Sequence, residues 1–278
     1  MTNSLGNLIW ISEKRKNVLL LLNDGPKSME HILKALNQSL YSLSPQMKIL
    51  LNNSLIREKE TDVYELTEVG NIIVRNMYPL FNTLVVLEED LDYWNERNLK
   101  HVPDSILERI GELGNYMIME PDQTYHYDVP EEFEINLKKS KRAKILLSYY
   151  HPIYIRIIEE VFQSTDSCDL IFLESVFTRI LDEKRDFINL CFEDNKKKLF
   201  VYKADEEGTI PSVFVADTFS YYFFFNKNQI FDNRQIMSFD SSSILWGSDL
   251  FEYYKSNSIQ IKSKNDFDKY RNGKTEKT

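Results

Sequence analysis

The chain has 278 residues, 42% of them apolar, and a formal net charge of −9. That is enough chain for two domains and enough apolar side chain for real cores, while few glycines and prolines beside many lysines and aromatics describe an ordinary globular protein. Taken globally the acidity argues against a polyanion binder, but it is uneven: residues 1–80 hold nine Lys+Arg against eight Asp+Glu, and the rest 25 against 35.

In chain order, Leu5 to Leu22 predicts one helix, with Leu8, Ile11, Val18, Leu19 and Leu22 as its apolar face. Asn23-Asp24-Gly25-Pro26 ends it. A short helix follows, capped by Ser28 and apolar at Met29, Ile32, Leu33 and Leu36. A second helix carries Leu43, Met47 and Leu50 at i, i+4 and i+7. Proline is tolerated only near a helix start, so this helix is expected to begin at Pro45, capped by Ser44, after an irregular turn from Ser39 to Leu43. Its outer face reads Ser42, Ser44, Gln46, Lys48 and Asn52, short polar groups of the kind that read base edges. A hairpin from Leu55 to Leu66, turning at Thr61-Asp62, completes a winged helix-turn-helix. The run from Leu36-Asn37-Gln38-Ser39 to Leu55-Ile56-Arg57 resembles ArsR-like winged helices, with Ser54 where a glycine is usual.

From Glu68 to about Trp94 the spacing is helical again, and Pro79 is expected to break or kink it. Its apolar second half suits dimerisation or packing on the chain's own next domain. A polar boundary lies near Asn95 to Asp104. Beyond it come a short helix (Ser105 to Gly114), a loop or strand, a helix (Glu131 to Ser140) and then alternation. Strands are expected at Ala143 to Tyr149, Cys168 to Leu173, Leu199 to Tyr202, Val213 to Ala216 and Tyr221 to Phe225. Helices are expected at Pro152 to Phe162, Ser175 to Asn189 and Ser243 to Ser256. The fold class is therefore mixed α/β. Residues 1–78 form a winged helix-turn-helix DNA-binding domain, 79–100 a linking or dimerisation helix, 101–256 an α/β effector domain with a mixed sheet, and 257–278 a disordered tail.

The motifs RIGELG (Arg109 to Gly114), EPDQT (Glu120 to Thr124), HPIY (His151 to Tyr154), Val215 to Asp217, Phe239-Asp240 and Trp246 to Tyr254 follow in a characteristic order. In that order the chain resembles archaeal helix-turn-helix regulators with a methanogenesis-regulatory (filament-regulator type) C-terminal domain. The resemblance implies a transcription regulator. The last part also looks like TrmB-type effector domains, which implies a phospholipase-D-like fold without catalysis: the His-x-Lys of that enzyme family is missing, since Pro152 and Ile153 follow His151.

Double-stranded DNA is thus the expected partner, read by Tyr41, Ser42, Ser44, Gln46 and Lys48, with Arg57 and Lys59 on phosphate from the wing. A charge of only +1 in the reader calls for a homodimer, which doubles the contacts. Ligands of open α/β sheets sit beyond the carboxyl ends of strands, so His151, Tyr154, Glu174, Asp217, Asp240 and Trp246 are candidates to line a pocket for a small-molecule effector. The bland alternative is structural: a helix cap, a turn-bonding Asp, a core Trp. No cofactor and no metal is expected, because the four histidines are scattered and Cys168 and Cys191 lack ligand spacing. His126, flanked by Tyr125, Tyr127 and Asp128, has the chemistry of a ligand or base, but no His, Cys or Asp cluster with ligand spacing surrounds it. No apolar run is long enough to span a membrane, and a cytoplasmic, non-enzymatic protein is expected. The alternatives are a winged helix that binds protein instead of DNA, and a hydrolase with an accessory winged helix.

Overall fold

The computed structural model describes residues 4–120, 129–192, 196–204, 209–263 and 266. Two compact units emerge, 1–82 and 83–278.

The first unit contains α1 (Leu5–Trp10), α2 (Glu13–Leu21), β1 (Lys27–Ser28), α3 (Met29–Ala35), α4 (Leu40–Asn52), β2 (Ile56–Glu60), β3 (Val63–Leu66) and the start of α5 (Glu68–Glu89). Val18, Leu19, Ile32, Leu43, Leu50 and Leu55 are fully buried at its centre. The hairpin turns at Thr61-Asp62, as expected, with Asp62 at φ 64°. The short strand β1 pairs with β3, making the wing sheet three-stranded in the order β1-β3-β2. Ser54, standing where a glycine is usual, takes φ 55° and gives its carbonyl to Thr67 Oγ1. A left-handed residue is needed there whatever its side chain, at a cost of about 1–2 kcal/mol for a non-glycine.

Three expectations are corrected. The first helix is two, because Ser12 interrupts it and caps α2 by accepting from Arg15 N. The α4 helix starts at Leu40, capped by Ser39, and holds Pro45 in its interior. The carbonyl robbed of a partner by Pro45 is that of Tyr41, whose residue is 93% exposed, so water satisfies it. Of the break or kink expected at Pro79, the break is absent: α5 runs through it, with the exposed Arg75 one turn before. The break falls at Asp90, whose carboxylate accepts from Tyr93 N and caps the next helix.

The second unit continues with α6 (Leu91–Glu96), α7 (Asp104–Leu107), a 3-10 turn (Ile110–Leu113), β4 (Met117–Met119), α8 (Glu131–Lys139), β5 (Arg142–Leu147), α9 (Pro152–Ser164), β6 (Ser167–Leu173), α10 (Glu174–Glu183), α11 (Arg185–Leu190), β7 (Lys197–Tyr202), β8 (Ser212–Ala216), β9 (Ser220–Phe223), β10 (Gln235–Ser238), α12 (Ser241–Ser256) and β11 (Ile259–Ile261). Among the described residues eight strands form one sheet in the order β11-β7-β6-β5-β8-β9-β10-β4. Strands β5, β6 and β7 are parallel, and every other pairing is antiparallel, so the sheet is mixed. The run Tyr221 to Phe225 is apolar throughout because both faces are covered. Tyr221 and Phe223 point into one core with α8 to α11, Tyr222 and Phe224 into the other with α6, α7 and α12. The tail expected to be disordered begins instead with β11, which pairs with β7; most of the rest lies outside the described residues.

Candidate nucleic-acid interface

The helix α4 presents a narrow outer strip. Leu43, Met47 and Leu50 are buried against the first core, so the residues half a turn away face outward: Leu40, Tyr41, Ser44, Pro45, Lys48 and Asn52 are exposed. Lys48 has no ion-pair partner among the described residues. Two expected readers are turned away from that strip. Ser12 Oγ donates to Gln46 Oε1 at 3.3 Å, and Gln46 is half-buried. Ser42 Oγ bonds Gln38 Oε1 and Ser39 O, both at 3.0 Å, and is half-buried too. Leu40, Pro45 and Asn52 are outer-face residues not expected as readers from the sequence, although the spacing of 40, 44, 48 and 52 marks Leu40 and Asn52 once the helix starts at Leu40.

The wing is less cationic than its sequence suggests. Glu65 binds both expected phosphate ligands: Arg57 Nε donates to it at 2.8 Å and Lys59 Nζ lies 3.4 Å away. The hydrogen bond from Arg57 is the main reason the Glu65 carboxyl sits below the usual range. Glu58, Glu60 and Asp62 complete an acidic tip.

The six residues expected to line an effector pocket do not come together. His151 precedes α9 at the carboxyl end of β5. Its Nδ1 is buried without a hydrogen-bond partner, and burial lowers its pKa. Tyr154 stands 5.8 Å from it, ring to ring, but is buried among Phe133, Phe214 and Phe223. Glu174 opens α10 at the end of β6, on the same edge of the sheet. Asp217 lies on the opposite edge, because β8 runs antiparallel to β5. Its carboxylate accepts from Lys141 N at 2.7 Å, Arg142 N at 3.1 Å and Arg142 Nε at 2.9 Å. Burial pushes its pKa up, and these bonds together outweigh that and hold it low. Asp240 accepts from Asn115 N and Nδ2 at 2.7 and 3.1 Å. Gly114 beside it has φ 60°, and a Cβ there would meet the Asp240 carboxylate at 2.2 Å, so the closing glycine of RIGELG is required twice over. Trp246 is fully buried and donates to Ile106 O at 2.8 Å. Asp217, Asp240 and Trp246 thus follow the bland alternative.

Among the described residues no three His, Cys, Asp or Glu side chains are grouped to hold a metal. His126 and most of EPDQT lie outside them. Cys168 and Cys191 are free and buried, and burial pushes the Cys191 thiol up to about 12. No helix among the described residues is long and apolar enough to cross a membrane.

A helix-turn-helix with a β wing, followed by a mixed α/β unit, defines the class: a two-unit winged-helix protein. Residues 126–257, from before α8 to just past the end of α12, match the family model described as methanogenesis regulatory protein FilR1, middle domain. The resemblance to archaeal regulators read from the motif order is shown by that match and by a curated relative. The methanogenesis regulatory protein FilR1 of Methanothrix harundinacea (strain 6Ac) is 21% identical over 252 residues, 90% of this chain and 56% of the relative. The chain spans little more than half the length of that relative. Among solved structures, TrmBL2, described as an archaeal chromatin protein with a novel mode of DNA binding, is similar at TM-score 0.41 and 11% identity over 93% of this chain and 100% of its own. Quinone-bound YodB from B. subtilis gives 0.27 and 20% over 29% of this chain and 89% of its own. The phospholipase D family member Nuc from Salmonella typhimurium gives 0.37 and 12% over 54% and 100%. At such TM-scores these structural likenesses carry no argument.

Proposed function

We propose that this chain is a DNA-binding transcription regulator, acting as a homodimer, whose α/β unit receives a small-molecule effector or a partner. The observation that carries it is the outer strip of α4: an exposed helix face in a helix-turn-helix, with Tyr41, Ser44, Lys48 and Asn52 free to enter a major groove. The relative's name supports regulation as the role. The dimer rests on α5, which exposes Ile72, Tyr78, Leu80 and Val85, with Ile72 and Val85 more than 60% open. It also rests on charge, since one unpaired lysine per recognition helix is too little phosphate neutralisation for a monomer. The chain works in the cytoplasm without catalysis on this reading.

Fluorescence anisotropy on the DNA upstream of the chain's own coding sequence, across a salt series, tests it. Sequence-preferring binding with a steep negative salt slope is expected. Equal, weak binding to every duplex would defeat it. The second reading, a winged helix that binds protein, draws on the Glu65-paired wing and the apolar Leu40, Tyr41 and Pro45; a salt-insensitive protein complex with no DNA binding would establish it.

A further inference from the structure

The α/β unit is acidic as a whole, yet residues 138–144 read Lys-Lys-Ser-Lys-Arg-Ala-Lys, five cations in seven positions. The structure shows which of them are spent. Lys138 pairs with Glu134 and Glu160, Arg142 with Asp217, and Lys144 with Glu252. The Lys139 and Lys141 ammonium groups have no ion-pair partner among the described residues, and both residues are exposed. Both line a crevice of about 580 Å³ at the amino ends of β5 and β6, with Asn136, Ser140, Ser167, Thr218, Asp166 and Asp217 around it.

Chemistry narrows what fits. The Asp217 charge is neutralised in place by Arg142 and two backbone N–H groups, so it presents little free negative charge to the crevice. The Ser167 and Thr218 hydroxyls have no side-chain hydrogen bond among the described residues and supply neutral donors. Two free ammonium groups and two hydroxyls lining one crevice match a group of concentrated negative charge with several acceptor oxygens. The volume is that of a small-molecule site, which usually spans about 300–1,000 Å³, whereas a duplex backbone would lie across the surface.

We propose that this crevice binds the phosphate group of a small molecule, held by Lys139 and Lys141 against the opposing charge of the Asp166 carboxylate in the same lining. The assignment deepens the effector part of the proposed function and rests on it. It also places the ligand at the edge of the sheet opposite His151 and Glu174.

Calorimetric titration of the full chain with inorganic pyrophosphate, without DNA, tests the site. Saturable binding is expected. The Lys139→Gln, Lys141→Gln double variant weakens it by at least about tenfold, the scale of one charge-assisted hydrogen bond. Asp166→Asn strengthens it by about threefold, because a like charge is removed. All three side chains are exposed, and equal melting temperatures confirm that the variants fold. No saturable binding, or binding that all the variants leave unchanged, overturns the site, while DNA binding in the anisotropy assay still stands. A double variant that loses affinity for a random duplex but not for pyrophosphate also overturns it and assigns the lysines to a nucleic-acid backbone. Pyrophosphate binding that leaves operator affinity unchanged keeps the site and removes its effector role.

Discussion

The two units use their distinctive polar residues in opposite ways. In the winged unit the proposed DNA contacts, Tyr41, Ser44, Lys48 and Asn52 on α4, are open to solvent, and Lys48 has no ion pair among the described residues. In the α/β unit Asp217, Asp240 and Trp246 are consumed by internal hydrogen bonds. Distinctive polar residues of this sequence therefore fall into two kinds: those left open on a surface, and those built into joints of the fold. The second kind identifies the architecture and says little about the ligand.

The sharpest way to break this contrast is at Trp246. Trp246→Ala leaves a large cavity and orphans the Ile106 carbonyl, and should cost about 3–5 kcal/mol in urea unfolding of the α/β unit. A cost near zero would free Trp246 for a ligand role. Next is Gly114→Ala, which combines a left-handed backbone with a clash on Asp240 and should cost about 2 kcal/mol by the same measurement. Asp217→Asn comes third. The folded carboxyl has a depressed pKa, so its contribution is fully present above the unfolded value and is lost as pH falls through the folded one. The variant should be less stable than the parent by about 1 kcal/mol at pH ~7, and the gap should close on acidification below the unfolded carboxylate range of about 4. The smallest effects belong to the winged unit. Lys48→Ala should weaken DNA binding by about 1 kcal/mol and flatten the salt slope by about one unit, with no loss of stability. Glu65→Gln, which releases Arg57 and Lys59, should tighten DNA binding about threefold and steepen the slope. If Glu65→Gln changes nothing, the wing does not touch the backbone.

How much was legible follows from the range of each signal. Helix faces repeat every three to four residues, so Leu43, Met47 and Leu50 defined the buried side of α4 from sequence alone. The hairpin turn at Thr61-Asp62 was an equally local reading, and the alternation of strands and helices with late hairpin strands pointed to the mixed sheet. Pro45 misled because its cost depends on whether the carbonyl it strips is wet, and Tyr41 is. Gln46 misled because its partner, Ser12, is 34 residues away. Asp217 misled for a topological reason: it does follow a strand, but β8 runs against β5, so its carboxyl end is the amino edge of its neighbours. Strand direction is a property of the assembled sheet. Lys139 and Lys141 carried a signal, the charge run, but only the ion pairs of Lys138, Arg142 and Lys144 show which charges remain.

The order of strands in the eight-stranded sheet has a kinetic consequence. Its parallel centre, β5 to β7, is built from neighbouring segments, whereas β4 finds its partner β10 only across more than a hundred residues, Ile118 opposite Ile236. Loop closure over that span is slow and its free energy is repaid last. Amide protons of β4 and β11, at the two margins, should therefore exchange with solvent well before those of β5 and β6, and the sheet should unzip from its margins inward.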